Sequence, residues 1–377
     1  MYTICGFITS LLTYKANKLI VSRYKNNRRI GMAILFWVIL VFSIVAGIRD
    51  YNVGTDISYY VLPVFNSAKI NDFQMYWNLN SKMIEPLYLL LTYFVSLISD
   101  NAHLLMGILS FLVTLFVVLR MIDYKESKKM WMGIFVYNFI FFSISLNLMR
   151  QSVAMSILFY STRYIFSKEM NVRKFIVGTI FSMGFHFTGA IGFFLLILQV
   201  YFKKNYQKKE IISMEIVMKT IFIIAAMIVC VFLFDRIIDI IVPLSSFTQK
   251  YSSYYVSGGT RIDFNPLLIR LPFIIIIFLN RKDFYKNQPE NYLLFMLMIC
   301  DALTSLLRSY STALYRISIY FAYYKMLAIP NFISACKANK RLFWSVVLCV
   351  LLYSIWVYQI IIQGNEQVYP YSVDWNL

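Results

Sequence analysis

Hydrophobic runs of near-spanning length recur along almost the whole chain, divided by short connections that carry most of the charge. They fall near residues 1–14, 30–48, 86–99, 103–121, 131–147, 151–166, 174–202, 216–234, 267–280, 290–307, 314–333 and 342–363. A bilayer's hydrocarbon core is about 30 Å thick, which about 20 helical residues cross. Sixty per cent of the 377 residues are hydrophobic, more than a soluble fold can cover with polar surface. The runs therefore predict an all-α, polytopic membrane bundle of about twelve crossings, some broken or re-entrant. No separate soluble domain stands out, so residues 1–377 read as a single domain with two larger loops, 49–83 and 235–266.

A net charge of +18 raises the possibility of a nucleic-acid partner, but the basic residues are dispersed among short loops and form no single patch. Loops 15–29, 122–130, 167–174, 203–210, 281–290 and 337–341 hold 22 of the 36 Lys and Arg residues. The positive-inside rule places those loops in the cytoplasm. The remaining connections, 49–83, 147–150, 235–266, 308–316 and the C-terminal tail, are then external, and the N-terminus lies outside with them.

Five cysteines lie scattered without C-x-x-C spacing, so neither a disulfide framework nor a zinc site is expected. His103 and His186 lack the carboxylate-flanked spacing of a metal centre. Neither a Walker A sequence nor GxGxxG occurs. Metal and nucleotide cofactors are accordingly not expected.

Two places resist simple counting. Runs 86–99 and 103–121 lie between an outer and an inner loop, which demands an odd number of crossings; either the run beginning at Glu85-Pro86 is re-entrant or interfacial, or the Lys bias at 125–129 misleads. Run 174–202 is too long for one span, and two half-length helices meeting at a corner at His186 fit it. Broken helices at membrane depth are tolerated where they line a cavity.

Four stretches put ionisable side chains at the rims of these runs: RDYNVGTDISYY (49–60), NLMRQSVA (147–154), FHFTG (185–189) and LYRISIYF (314–321). An Arg or Asp at the centre of a membrane helix costs roughly 2.5–3.5 kcal/mol on insertion scales, so each stretch invites a functional explanation. Arg49 and Arg150 are either snorkelling anchors or phosphate-holding guanidiniums. Gln151, Ala154 and Leu158 share one helix face with the turn that carries Arg150. His186 is either a structural hydrogen-bonder or a general base. Glu85 either favours the start of the helix opened by Pro86 or acts as a base or sugar ligand. Arg316 adds a cation beside Tyr315 and Tyr320, with Asp301 as a candidate counter-ion. Arg261 and Arg270 bracket the end of the second large loop, within reach of substrate or lipid headgroups. His103 reads as structural.

In these residues the chain resembles the EpsG family, a branch of the Wzy-type polymerases of capsule, exopolysaccharide and O-antigen assembly. The matching pieces are Arg49 with GTDISYY, Glu85-Pro86-Leu87-Tyr88, Asn147 with Arg150-Gln151 and Ala154, Phe185-His186-Phe187-Thr188, and Tyr315-Arg316 with Tyr320. Leu87 stands where a glycine commonly follows Glu-Pro, and Gly189 where a small apolar residue is common.

The resemblance implies a GT-C-like glycosyltransferase of the bacterial cytoplasmic membrane. Its substrate would be undecaprenyl-pyrophosphate-linked oligosaccharide, joined on the outer face without nucleotide sugar. A flippase and a chain-length regulator of the same pathway are the implied partners, with membrane lipid as surroundings. On this reading Arg49, Arg150, Gln151, Arg316, Arg261, Tyr60 and Tyr320 hold pyrophosphate or sugar. His186, with Asp56 and Glu85 behind it, is the candidate base. A flippase for the same lipid-linked sugar, a ligase and an O-acyltransferase are the competing readings.

Overall fold

Helix lengths vary more than the hydrophobic runs that encode them, and several breaks between helices fall at motif residues. The computed structural model describes residues 1–124, 129–167, 169–206, 263–288, 290–309 and 312–375. Among the described residues five helices are long and apolar enough to cross a membrane: Lys25–Gly47, His103–Ile122, Met130–Asn147, Asn291–Ser309 and Ala338–Ile362. At about 1.5 Å per residue the 23-residue Lys25–Gly47 extends about 34 Å. Pro86–Ser96, Phe187–Lys203 and Asn265–Leu279 are apolar but shorter. The 11-residue Pro86–Ser96 is about 16 Å long, about half the thickness of a hydrocarbon core.

Run 174–202 is broken where the sequence predicts. Val172–Phe185 ends at His186, whose backbone is extended at φ −159 and ψ 126. A 3₁₀ turn, Phe187–Ala190, then leads into Ile191–Tyr206. Loop 49–83 is itself largely helical. A π-helical turn, Ile57–Val61, runs into Leu62–Ile70, and Phe73–Asn80 follows behind an Asp72 cap that accepts from Met75 N at 2.8 Å. Of loop 235–266, residues 235–262 lie outside the described residues, and Asn265 opens a helix.

The chain divides into two compact units, Met1–Leu196 with Lys337–Leu377, and Ile197–Cys336. In the first, Tyr2–Ile20 packs on Lys25–Gly47, which packs on His103–Ile122; Met149–Ser161 follows, and then Val172–Phe185. Small residues and polar groups make close approach possible, as in other membrane bundles. A Cβ on Gly47 would meet Gly107 Cα at 3.4 Å, and Ser110 donates to Phe42 O at 3.2 Å. Ser182 donates to Ala154 O at 2.7 Å, tying the His186-bearing helix to the Arg150-bearing one.

Residues 364–375 of the first unit form a strap across the residues that follow Gly47. Arg49 and Val373 make an antiparallel bridge, flanked by Asp50 N to Ser372 O and Asp374 N to Ile48 O, each 3.0 Å. Tyr2 donates to Val368 O at 2.8 Å, Tyr371 to Val45 O at 2.9 Å, and Gly54 N to Gln367 O at 2.9 Å. His103 stacks on Tyr51, donates to Gly47 O at 2.7 Å and pairs with Asp374 at 3.1 Å, the structural role expected of it.

In the second unit Asn291–Thr304 packs against Asn265–Leu279, Thr312–Ala322 and Lys325–Ala335. Asn291–Thr304 is apolar and buried around nearly its whole circumference, except for one carboxylate, Asp301. Asp301 accepts from Arg270 Nε at 2.7 Å and from Lys325. Asp301 is thus a buried counter-ion, with Arg270 and Lys325 as its partners where the sequence suggested Arg316. Arg270 is likewise corrected: it sits inside a helix, buried, donating also to Pro266 O at 2.7 Å, and is closed to headgroup or substrate.

Candidate functional site

The helix that carries Arg150 begins at a deliberate break. Ser143–Asn147 ends at Leu148, whose φ of −84 and ψ of 57 lie outside helical space, and Met149–Ser161 starts immediately after it. Arg150 therefore lies in a first turn, next to carbonyls that the break has released. One of them, Leu146 O, accepts from Arg49 Nη2 at 2.6 Å, and Met149 Sδ lies 3.3 Å from the same nitrogen.

Arg49 is thus fully buried, and among the described residues its Nε and Nη1 have no hydrogen-bond partner. Burial pulls its pKa down to about 10, which still leaves it charged at neutral pH. The expectation that Arg49 grips phosphate is corrected: no surface of it is accessible, because it braces the 146–149 break. The long apolar helix before it and the strap above it enclose the side chain.

Arg150 is different. Its Nη1 donates to Glu85 Oε2 at 2.7 Å, and the side chains remain 15 % and 14 % exposed. Its guanidinium lies 4.9 Å from the Tyr60 ring centroid and 5.5 Å from that of Tyr88. The other Glu85 oxygen accepts from Phe187 N at 3.2 Å, which fastens the His186 corner to Arg150 through one carboxylate. Glu85 occupies the residue before the Pro86 helix yet makes no capping bond there, so its side chain serves the cluster and not the helix end. Asp56 enters the same region through its backbone, one helical turn before Tyr60, whose ring meets the Arg150 guanidinium.

His186 Nδ1 lies 2.6 Å from Thr188 Oγ1 and faces Thr188 N at 3.4 Å. The Thr188 N–H can only donate, so Nδ1 accepts in this geometry and a neutral ring carries its proton on Nε2. Asp56 enters through the Gly54 turn. Gly54 has φ +99, where a side chain is strained, and a Cβ there would stand 3.2 Å from Leu146 O. Asn147 Oδ1 then accepts from Thr55 Oγ1 and Asp56 N, each 3.1 Å, capping that segment from another helix.

A model of the EpsG family matches residues 32–373. The chain belongs to the EpsG family. That family is associated with Wzy-type polymerases, and the apolar helices together with the match make this a membrane protein. No curated protein and no solved structure matches the chain.

Of the residues singled out in this EpsG-family chain, the structure brings together Arg150, Glu85, Tyr60, Asp56 and the His186 corner. Gln151 is buried at 2 % exposure in the first turn of the same helix, which corrects its placement as a substrate ligand. Tyr320 is buried in the second unit, and Arg316 is half-buried there. Nearby, Arg270 and Arg308 both lie 5.5 Å from the Tyr315 ring. Arg261 lies outside the described residues. Sequence reading missed the strap altogether, including Glu366, whose carboxylate accepts from Asn147 Nδ2 at 2.9 Å. Gly364-Asn365 and Pro370 were its only signals.

Proposed function

We propose that this chain is a polysaccharide polymerase of the bacterial cytoplasmic membrane, joining undecaprenyl-pyrophosphate-linked oligosaccharide repeats on the outer face. The GT-C-like arrangement of about twelve crossings expected from run length belongs to this reading. So do the pathway's flippase and chain-length regulator as partners. The observation that carries it is the juxtaposition of Arg150, Glu85 and the His186 corner in a protein of this family.

The chemistry requires stabilising a diphosphate leaving group and removing a proton from an attacking sugar hydroxyl. Only Nη1 of Arg150 is committed to Glu85, so the remaining N–H groups can donate to phosphate oxygens as charge develops on them. Tyr60 and Tyr88 hold the guanidinium plane, and Tyr60 is itself partly open to a sugar face. Both Glu85 oxygens already accept hydrogen bonds, so Glu85 orients Arg150 and the corner, leaving His186 as the base with Asp56 second. For that role the long contact from Thr188 N to Nδ1 must give way, so that Nδ1–H donates to Thr188 Oγ1 and Nε2 accepts the hydroxyl proton.

The test is a vesicle assay with purified protein and lipid-linked repeat units as sole substrate. Wild-type protein yields a ladder of polymer lengths, and His186→Ala leaves single repeats on lipid while remaining in the membrane. Repeats that cross the bilayer with unchanged length, or a His186→Ala ladder equal to wild type, would overturn the assignment.

A further inference from the structure

Two successive residues of the strap, Glu366 and Gln367, adopt positive φ values of 66° and 51° although neither is glycine. L side chains are uncommon in this region, and such strain persists only where surrounding contacts impose it. Here the contacts are visible. Gln367 O accepts from Gly54 N at 2.9 Å, and the Glu366 carboxylate accepts from Asn147 Nδ2 at 2.9 Å.

The hydrogen-bond chemistry of Asn147 makes the second contact directional. Its side chain has one accepting end and one donating end. Asp56 N can only donate, and it requires the Oδ1 end. An ionised Glu366 can only accept, and it requires the Nδ2 end. A neutral or reversed partner at position 366 would permit the flipped amide, which would set Nδ2 against the Asp56 N–H as donor against donor. The carboxylate excludes that arrangement.

We propose that Glu366 is a positioning residue of the polymerase site. Its carboxylate locks the Asn147 amide, which holds the Thr55–Asp56 turn and so the approach of Asp56 and Tyr60 to Arg150. The proposal rests on the polymerase reading for its activity consequence, but not for its structural one. The family match, which reaches residue 373, takes in most of the strap, Glu366 included.

The decisive experiment is a donor–acceptor reversal. Asn147→Asp sets two carboxylates face to face, and polymer formation is expected to fall about tenfold or more, in the range of coupled contacting residues. Glu366→Gln alone lowers it only a few-fold, because the new amide can still accept from Asn147. The double variant Asn147→Asp/Glu366→Gln recovers most of the activity, because that amide can turn and donate to the new carboxylate while Thr55 and Asp56 keep their acceptor.

Hydrogen exchange over residues 54–60 supplies a readout independent of activity. Glu366→Gly relieves the backbone strain and is expected to quicken exchange there without lowering the melting temperature. A residue that merely braces the fold would lose melting temperature in step. Failure of the double variant to recover above Asn147→Asp, or unchanged exchange in Glu366→Gly, overturns the proposal. If wild-type protein makes no polymer, the function assignment fails, and the exchange measurement still decides the role of Glu366.

Discussion

Two guanidinium–carboxylate contacts of equal length, one in each unit, have opposite surroundings. Arg150 meets Glu85 at 2.7 Å with both side chains about one-seventh exposed, and the pair is electrically neutral. Arg270 meets Asp301 at the same 2.7 Å, but Asp301 is wholly enclosed and serves Lys325 as well, so two cations share one carboxylate. Contact geometry therefore does not distinguish a site from a brace; access does. An open pair can exchange one partner for a ligand, whereas an enclosed network loses a partner only by stranding charge away from water.

The sharpest way to break this comparison is Asp301→Ala. It leaves Arg270 and Lys325 uncompensated, and destabilisation of about 3–5 kcal/mol is expected, read as a lower melting temperature in detergent and less protein in the membrane. An unchanged melting temperature would show that the enclosed cluster is not a brace. Next in size is Arg150→Gln, where the abandoned Glu85 still reaches solvent. Membrane levels should hold while polymer formation falls about 100- to 1000-fold, the usual effect of removing one preorganised donor. Smallest is Tyr60→Leu, which removes one ring from beside the Arg150 guanidinium. A loss of about 0.5–1 kcal/mol is expected, seen as a two- to five-fold rise in KM for the lipid-linked repeat.

The helical class, the short Pro86 helix and the break at His186 were legible because each follows from length, polarity and proline placement along a local stretch. The link from Arg150 to Glu85 was not, since it joins residues 65 positions apart and no local pattern encodes it. Arg49 shows the limit most clearly. A guanidinium just beyond an apolar helix reads as available to phosphate, yet its fate depends on Leu146 O and on a strap more than 300 positions away. Asp301 was rightly sensed as a counter-ion, but helix packing chose its partners. Glu366 escaped because the tail around it has no hydrophobic period to read, and its conformation is imposed from outside.

The bond from Tyr2 to Val368 joins residues 366 positions apart, and the Arg49–Val373 bridge is nearly as distant in sequence. During synthesis, residues 364–375 emerge after every intervening helix of the first unit, so the pocket around Asp56 and Arg150 must mature last. A chain ending at residue 363 would hold the apolar helix Ala338–Ile362 but lack the strap that closes over Arg49 and the Gly54 turn. Synthesis of the strap, rather than insertion of any single helix, sets the moment at which this region of the first unit is complete.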